Sequence, residues 1–335
     1  MQLALRGESG MTKSSVAVIG PIPRDRIITH RGEEVQKYGC AIYTAAALAS
    51  LGREDLEVSL VSHVRKADRD GITSIFAEYP NVNTAPITDG EDKGDIITLT
   101  YLDQNRREET QTGFMDPILP SDIEPLLDSR AFVFVPITDF EVPLETLKYI
   151  KSKTDAPIVF DAHGPTVCCS KFGKRHHKFW VDRDRWMPYI DLLKMNLEEA
   201  RCCWFGEEVE LDELAETAEL AREQLPAFAQ DCLDKGVKAV YVTLDEEGCA
   251  VFFKDAAGKM IEVIVPRIVV EDVVDTTGCG DSFAGGLAFG YLRTGDYVKA
   301  AQFGNYAGAM RCTSIELDIY GTIEEAEQRL KETYG

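Results

Sequence analysis

The sequence predicts an α/β fold, a mostly parallel central sheet with helices on both faces and a small β lid. Three observations carry this expectation. Short apolar, β-branched runs alternate with helical stretches along most of the chain, as repeated βα units require. Two hairpin-like segments, near residues 21–38 and 96–114, interrupt that alternation with one polar and one apolar face. A turn rich in small residues at 274–280 opens a helix late in the chain, the arrangement that presents free backbone N–H groups to an anion.

The elements follow in order. Val16, Ala17, Val18 and Ile19 make a first strand that Gly20 and Pro21 end. Residues 26–30 and 33–38 read as a small hairpin, and the alanine-rich stretch 39–51 turns helical before a strand at 57–61. Residues 97–103 alternate apolar and polar, then pass through Asp103, Gln104 and Asn105 into a polar return at 106–112. Apolar runs at 131–136, 157–161, 192–195 and 239–243 supply further parallel strands. Between 207 and 225, Leu211, Leu214, Ala218 and Leu225 keep helical spacing while the glutamates fall mostly on the other, solvated face. Strands near 249–253 and 259–265 and helices near 280–293, 296–311 and 322–333 complete the series. Residues 1–12 read as a loose extension, and 13–335 as a single domain with neither internal repeat nor low-complexity linker.

Composition narrows the function classes. The chain has 335 residues, of which 44% are hydrophobic and 28% charged, and no stretch approaches a membrane span. The net charge of −21 repels nucleic acid and anionic membranes, so an anionic ligand must be held by local groups. Nine cysteines without a CxxC pair point to a reducing, cytoplasmic compartment. His176 and His177 stand near Cys168 and Cys169, but their spacing matches no common zinc pattern.

The densest chemical signal runs from Asp275 to Gly286. Gly278, Cys279 and Gly280 let a ligand approach the backbone where a helix N-terminus aims its N–H groups, and Asp281 stands at the mouth of that anion hole. A carboxylate there is placed to take a proton from a hydroxyl nucleophile. Asp281 could also be a mere helix cap. A cap, however, needs one acidic residue, whereas this stretch adds Asp275, Thr276, Thr277 and three small residues. Neither GxxxxGK[ST] nor an opening GxGxxG occurs, so the phosphate site belongs to another architecture.

The stretch 275–283 resembles the D-T-x-G-x-G-D-x-F signature of the ribokinase-like (PfkB) carbohydrate kinase family, with Cys279 where a small residue is usual. The resemblance implies an ATP-dependent kinase that phosphorylates a hydroxyl of a small sugar or polyol, with Asp281 as base and Gly278, Cys279 and Gly280 as anion hole. Asn196 and Glu199 match the family's N-x-x-E, which organises Mg²⁺ through water near the ATP phosphates. Thr243 and Gly248 match T-x-G-x-x-G at the nucleotide, although Asp245 replaces the first glycine. Thr276 and Asn305 fall at further ATP-side positions, and Asp275 and Thr277 at positions that commonly bound a monovalent cation, K⁺ being the candidate.

On the substrate side, Asp25 matches the aspartate that accepts bonds from substrate hydroxyls. The family's G-G-x-x-x-N appears as Gly39, Cys40, Ala41, Ile42, Tyr43 and Thr44, so the second glycine and the asparagine are absent and ribose and fructose are disfavoured. His163 and Pro165 replace the asparagine and arginine of a D-x-N-x-R motif. Arg24, Arg106 and Arg107 are lid-region cations. A weaker likeness to myo-inositol kinases at 116–123 and 246–249 makes a cyclitol a candidate acceptor. Alternatives are a nucleoside kinase of the same fold, with Tyr38, Ile42 and Tyr43 as a base slot, and a non-catalytic sugar-binding descendant. Lid edges in this family often pair between subunits, so a homodimer is a candidate assembly.

Overall fold

Val16 and Val18 pack into one hydrophobic core and Ala17 and Ile19 into another, because the strand they form is covered on both faces. In the computed structural model, which describes residues 14–29, 31–91, 94–102, 107–204 and 218–335, that strand is β1 (Ser14–Ile19). The strands β2 (Arg24–Ile28) and β3 (Glu34–Tyr38) pair antiparallel, and α1 (Ala41–Leu51) returns the chain to β4 (Leu56–Arg65). After α2 (Arg69–Ile75), β5 (Val82–Asn83) and β6 (Ile87–Gly90) both run parallel to β4. Next come β7 (Ile96–Tyr101) and β8 (Arg107–Gly113), which complete a four-stranded lid sheet in the order β3-β2-β7-β8.

The chain then passes α3 (Pro120–Ile123), β9 (Phe132–Phe134), α4 (Leu144–Lys153) and β10 (Ile158–Asp161). A hairpin of β11 (Val167–Cys169) and β12 (Arg175–His177) precedes α5 (Arg183–Trp186), β13 (Leu192–Asn196) and α6 (Leu197–Arg201). The remainder is α7 (Ala218–Asp234), β14 (Ala239–Thr243), β15 (Cys249–Lys254), β16 (Met260–Val265), α8 (Cys279–Thr294), α9 (Tyr297–Cys312) and α10 (Ile323–Tyr334).

The central sheet has the order β16-β15-β14-β13-β10-β9-β1-β4-β5, with β6 added on β4. It is parallel from β5 to β14 and antiparallel at the β14-β15-β16 edge. From β1 the chain runs outward to β4 and β5, then crosses back to β9 on the other side of β1. A parallel sheet opens a crevice beyond the strand ends where the direction of winding reverses. Here the backbones press together so closely that a Cβ on Gly20 would sit 2.7 Å from the Val135 carbonyl.

The β11–β12 hairpin was not expected from the sequence. Its turn, through Gly173 at φ +81, abuts the lid: the Gln111 amide donates to the Gly173 carbonyl (2.7 Å) and Thr110 bridges to Lys174. The expected extension at 1–12, the turn at 103–106 and the first part of the acidic helical stretch, 205–217, lie outside the described residues. Among the described residues no helix is long and apolar enough to cross a membrane, and no group of three or more His, Cys, Asp or Glu is arranged to hold a metal ion.

Candidate active site

Helix α8 places the acid. Gly278 is its N-cap, at φ +83, and a Cβ there would fall 2.3 Å from the Tyr43 ring, so the position needs glycine on both counts. No side chain caps this end. The Cys279 amide already meets the Thr276 carbonyl at 3.3 Å, which leaves Gly280 and Asp281 at the open end of the first turn. A Cβ on Gly280 would come within 3.0 Å of Lys194 Nζ, so a fixed ammonium stands beside the anion hole.

Lys194 was missed in the sequence, though a lysine inside the apolar strand Leu-Leu-Lys-Met was a signal. It is 4% exposed and donates to Asp161 Oδ2 at 2.7 Å. Burial pushes the Asp281 carboxyl above its ordinary value, while Lys194 and His163 pull it back toward ionisation.

Asp25 and Asp281 feel each other's charge across the crevice. Burial pushes the Asp25 carboxyl up to about 7, against the pull of Lys37 and with a further push from Asp281. Gly39 is what makes room for it: a Cβ there would lie 2.4 Å from Asp25 Oδ2. Cys40 follows at φ +52, and its buried thiol donates to the Val135 carbonyl (3.0 Å) and lies against the Asp281 carboxylate. Thr44, expected on the substrate, is fully buried and donates instead to the Asp281 main-chain carbonyl at 2.8 Å. It anchors the helix that carries the base.

His163 joins this cluster through Nδ1 to Glu199 Oε1 (2.8 Å), with Arg175 Nη2 3.3 Å from Nε2. Burial works against the charged imidazole, but the Glu199 carboxylate outweighs it and raises the His163 pKa. Arg175, also missed, enters from the β11–β12 hairpin and reaches Gln111 (2.7 Å) and the Ile137 carbonyl (2.8 Å). It brings a guanidinium to the side of the site where the D-x-N-x-R pattern has Pro165. Arg24 is neutralised by an ion pair with Asp68, Arg106 lies outside the described residues, and so does the side chain of Arg107.

Asn196 and Glu199 form a reciprocal cap at the start of α6. The Asn196 side chain accepts from the Glu199 amide (2.8 Å), and the two Glu199 oxygens accept from the Asn196 side-chain amide (3.0 Å) and backbone amide (2.7 Å). With His163 on the same carboxylate, three of about four acceptor positions are filled. The pair therefore suits contact with Mg²⁺ through water, and it does not suit direct ligation. Thr243 ends β14, beside Asn196 in register, and Gly248 closes the following turn at φ +104, where a Cβ would be 2.2 Å from the Val265 carbonyl. Asp245, in place of a motif glycine, keeps a positive φ of 47. Asn305, expected beside the adenine, donates to the Val265 (3.1 Å) and Pro266 (3.0 Å) carbonyls and to Tyr334 (3.2 Å). Its amide ties α9 to the segment after β16.

The Asp275 carboxylate does not fit a monovalent cation, whereas the Thr277 hydroxyl is buried without a hydrogen-bond partner. The Asp275 carboxylate already receives Lys37 Nζ at 2.6 Å, Arg311 Nη2 at 3.0 Å and the Thr277 amide at 2.9 Å. Arg311 is fully buried and lies over the Tyr43 ring, 4.7 Å from its centroid. Its guanidinium supplies the positive charge that an ion would bring. Thr276 is exposed at the rim of the same turn.

Solved structures place this lid-covered sheet in the ribokinase fold. Arabidopsis thaliana ribokinase, solved with ribose and ATP, superposes with a TM-score of 0.69 at 16% identity, over 96% of this chain and 99% of that one. A pyrophosphate-dependent kinase of the ribokinase family, complexed with a pyrophosphate analogue and myo-inositol, gives 0.68 at 18% identity over 94% and 99%. The chain belongs to the pfkB family of carbohydrate kinases, whose model matches residues 14–320. An uncharacterized sugar kinase of Archaeoglobus fulgidus is 35% identical over 31% of this chain and 38% of its own. The inositol 3-kinase of Arabidopsis thaliana is 33% identical over 29% and 27%, and the ribokinase of Lactococcus lactis 27% identical over 87% and 88%. The chain spans about a quarter to two fifths of the length of the curated relatives it matches first.

Proposed function

We propose that this protein transfers the γ-phosphoryl of ATP to a hydroxyl of a small polyhydroxylated acceptor, a cyclitol such as myo-inositol being favoured. The observation that carries the reading is Asp281, half-buried at the open end of α8 beside Lys194 and Cys40, with the buried Asp25 close enough to feel its charge. Asp25 accepts bonds from the acceptor's hydroxyls and orients one of them toward Asp281. Asp281 takes that hydroxyl's proton, and Lys194 with the first amides of α8 holds the charge on the transferred group. Mg²⁺, when bound with the nucleotide, neutralises phosphate charge, and Asn196 and Glu199 would meet it through water.

Favouring a cyclitol over a pentose, position 44 is threonine where the family motif has asparagine, and its hydroxyl is taken up by the Asp281 main-chain carbonyl. Against a nucleoside, Ile42 is enclosed in the core and Tyr43 is pinned between Gly278 and Arg311, which leaves only the half-buried Tyr38, its hydroxyl bonded to Asp68, of the three residues read as a base slot. All nine cysteines are free thiols, in keeping with a reducing, cytoplasmic compartment. The outer edge of β3, unpaired among the described residues, is where a second copy would add to the lid.

The test is a coupled phosphotransfer screen with ATP or pyrophosphate as donor and aldoses, ketoses, myo-inositol and nucleosides as acceptors, run with wild type and Asp281→Asn. ATP-dependent turnover of a cyclitol, reduced about 100- to 10,000-fold in the variant with ATP affinity kept, is expected. Undiminished turnover in Asp281→Asn removes the base. Preference for a nucleoside or for pyrophosphate overturns the acceptor or donor.

A further inference from the structure

Cys279 and Cys312 bring their sulfurs to 3.1 Å, although they lie 33 residues apart. Both are free and partly exposed. The turn that leads into Cys279 is tied to Cys312, since the Val274 and Asp275 amides donate to the Cys312 carbonyl at 2.8 and 3.3 Å. A disulfide needs the sulfurs at about 2 Å, so closing this gap takes roughly one ångström of side-chain movement between two helix ends. Cys279 is the first residue of α8 and flanks the amides that face the phosphoryl group. Cys312 ends α9.

We propose that Cys279 and Cys312 form an oxidisable dithiol site, and that hydrogen peroxide converts it to a disulfide which disables the anion hole. Cys312, next in the chain to the Arg311 guanidinium, acts as the first nucleophile and Cys279, 3.1 Å away, as the resolving thiol; the exchanged order gives the same disulfide. Its sulfur attacks one peroxide oxygen, the O–O bond breaks, and the departing hydroxide takes up the thiol's proton to leave as water. Cys312 becomes a sulfenic acid. The Cys279 sulfur then attacks that sulfenic sulfur, the S–O bond breaks, and hydroxide leaves with the Cys279 proton as a second water. Two thiols are oxidised and one peroxide is reduced to two waters. With its side chain bound to α9, Cys279 can no longer let the first turn of α8 settle around a phosphoryl group.

The bond is independent of the acceptor's identity, while its effect on catalysis rests on the kinase reading, so two readouts are needed. Wild type and Cys312→Ala are treated with limiting hydrogen peroxide and the excess is removed. Each is mapped by non-reducing peptide mass spectrometry and assayed before and after dithiothreitol. Expected is a Cys279–Cys312 linked peptide in wild type, at least a fivefold activity loss that dithiothreitol reverses, and unchanged activity in Cys312→Ala. A map without that linked peptide overturns the site, whatever the activity does. A linked peptide with full activity, or equal loss in Cys312→Ala, overturns the disabling effect.

Discussion

Asp25 shows what a single buried carboxylate imposes on the reaction. With its carboxyl pushed up to about 7, it accepts hydroxyl bonds well only above that pH, and Asp281 is raised in the same direction. The pH profile of kcat/KM should therefore fall about tenfold per unit on the acid side of pH 7, and Asp25→Asn should displace that limb while lowering kcat/KM; a flat profile from pH 5.5 to 8 counts against the assignment. At this scale much of the site was legible. Gly278 and Asp281 were readable because a small-residue turn opening a helix is a local pattern, and Asp25 and Gly39 through their resemblance to the family's motifs. Two substitutions hid an unchanged backbone: Cys40 and Asp245, the two non-glycine residues at positive φ among those described, stand where the family motifs have glycine. Lys194, Arg175 and Arg311 were not legible as a set. They come from three distant segments, and only the folded chain brings their charges to Asp161, His163 and Asp275.

At the scale of elements, the site depends on how α1 meets α8. The Tyr43 ring of α1 fills the space over Gly278, and Thr44 holds the Asp281 carbonyl. Gly278→Ala should therefore cost more than about 1 kcal/mol in chemical denaturation, through positive φ and ring overlap together, and should lower turnover with it. Equal stability of the two proteins would mean that the turn relaxes freely. The last turn of α9, which carries Arg311, makes a second prediction. Because Arg311 and Lys37 already balance Asp275, replacing K⁺ by tetramethylammonium should leave turnover unchanged and KCl should cause no specific rise in Tm. Activation by K⁺ over tetramethylammonium would restore the ion site. Most strands and the long helices were readable from periodicity, whereas the β11–β12 hairpin was not. Its three-residue strands are too short to show alternation, and they persist by leaning on β8.

Over the whole molecule, charge dominates. Asp25, Asp95 and Glu141 are all raised, chiefly by burial, so between about pH 4 and 7 the folded state binds more protons than the unfolded one and these groups' contribution to stability falls as pH rises. Glu199 and Asp275 are lowered, and their stabilising contribution is lost only below the ordinary carboxylate range. With a net charge of −21 repelling itself as well, Tm should be higher at pH 6 than at pH 8, and salt should raise it more at pH 8. A Tm that climbs from pH 6 to 8 would refute the assignment. The long-range architecture also sets a clock. Thr44 and Asp281 are separated by 237 positions, and Lys37 and Asp275 by 238. At a synthesis rate of about 5–20 residues per second, the half of the crevice that carries Asp25 waits roughly ten seconds or more on the ribosome for the half that carries the base. A nascent chain thus has its lid strands before it has α8, and a protease that removes α8 and α9 would take Asp281 away while leaving the strands that carry Asp25.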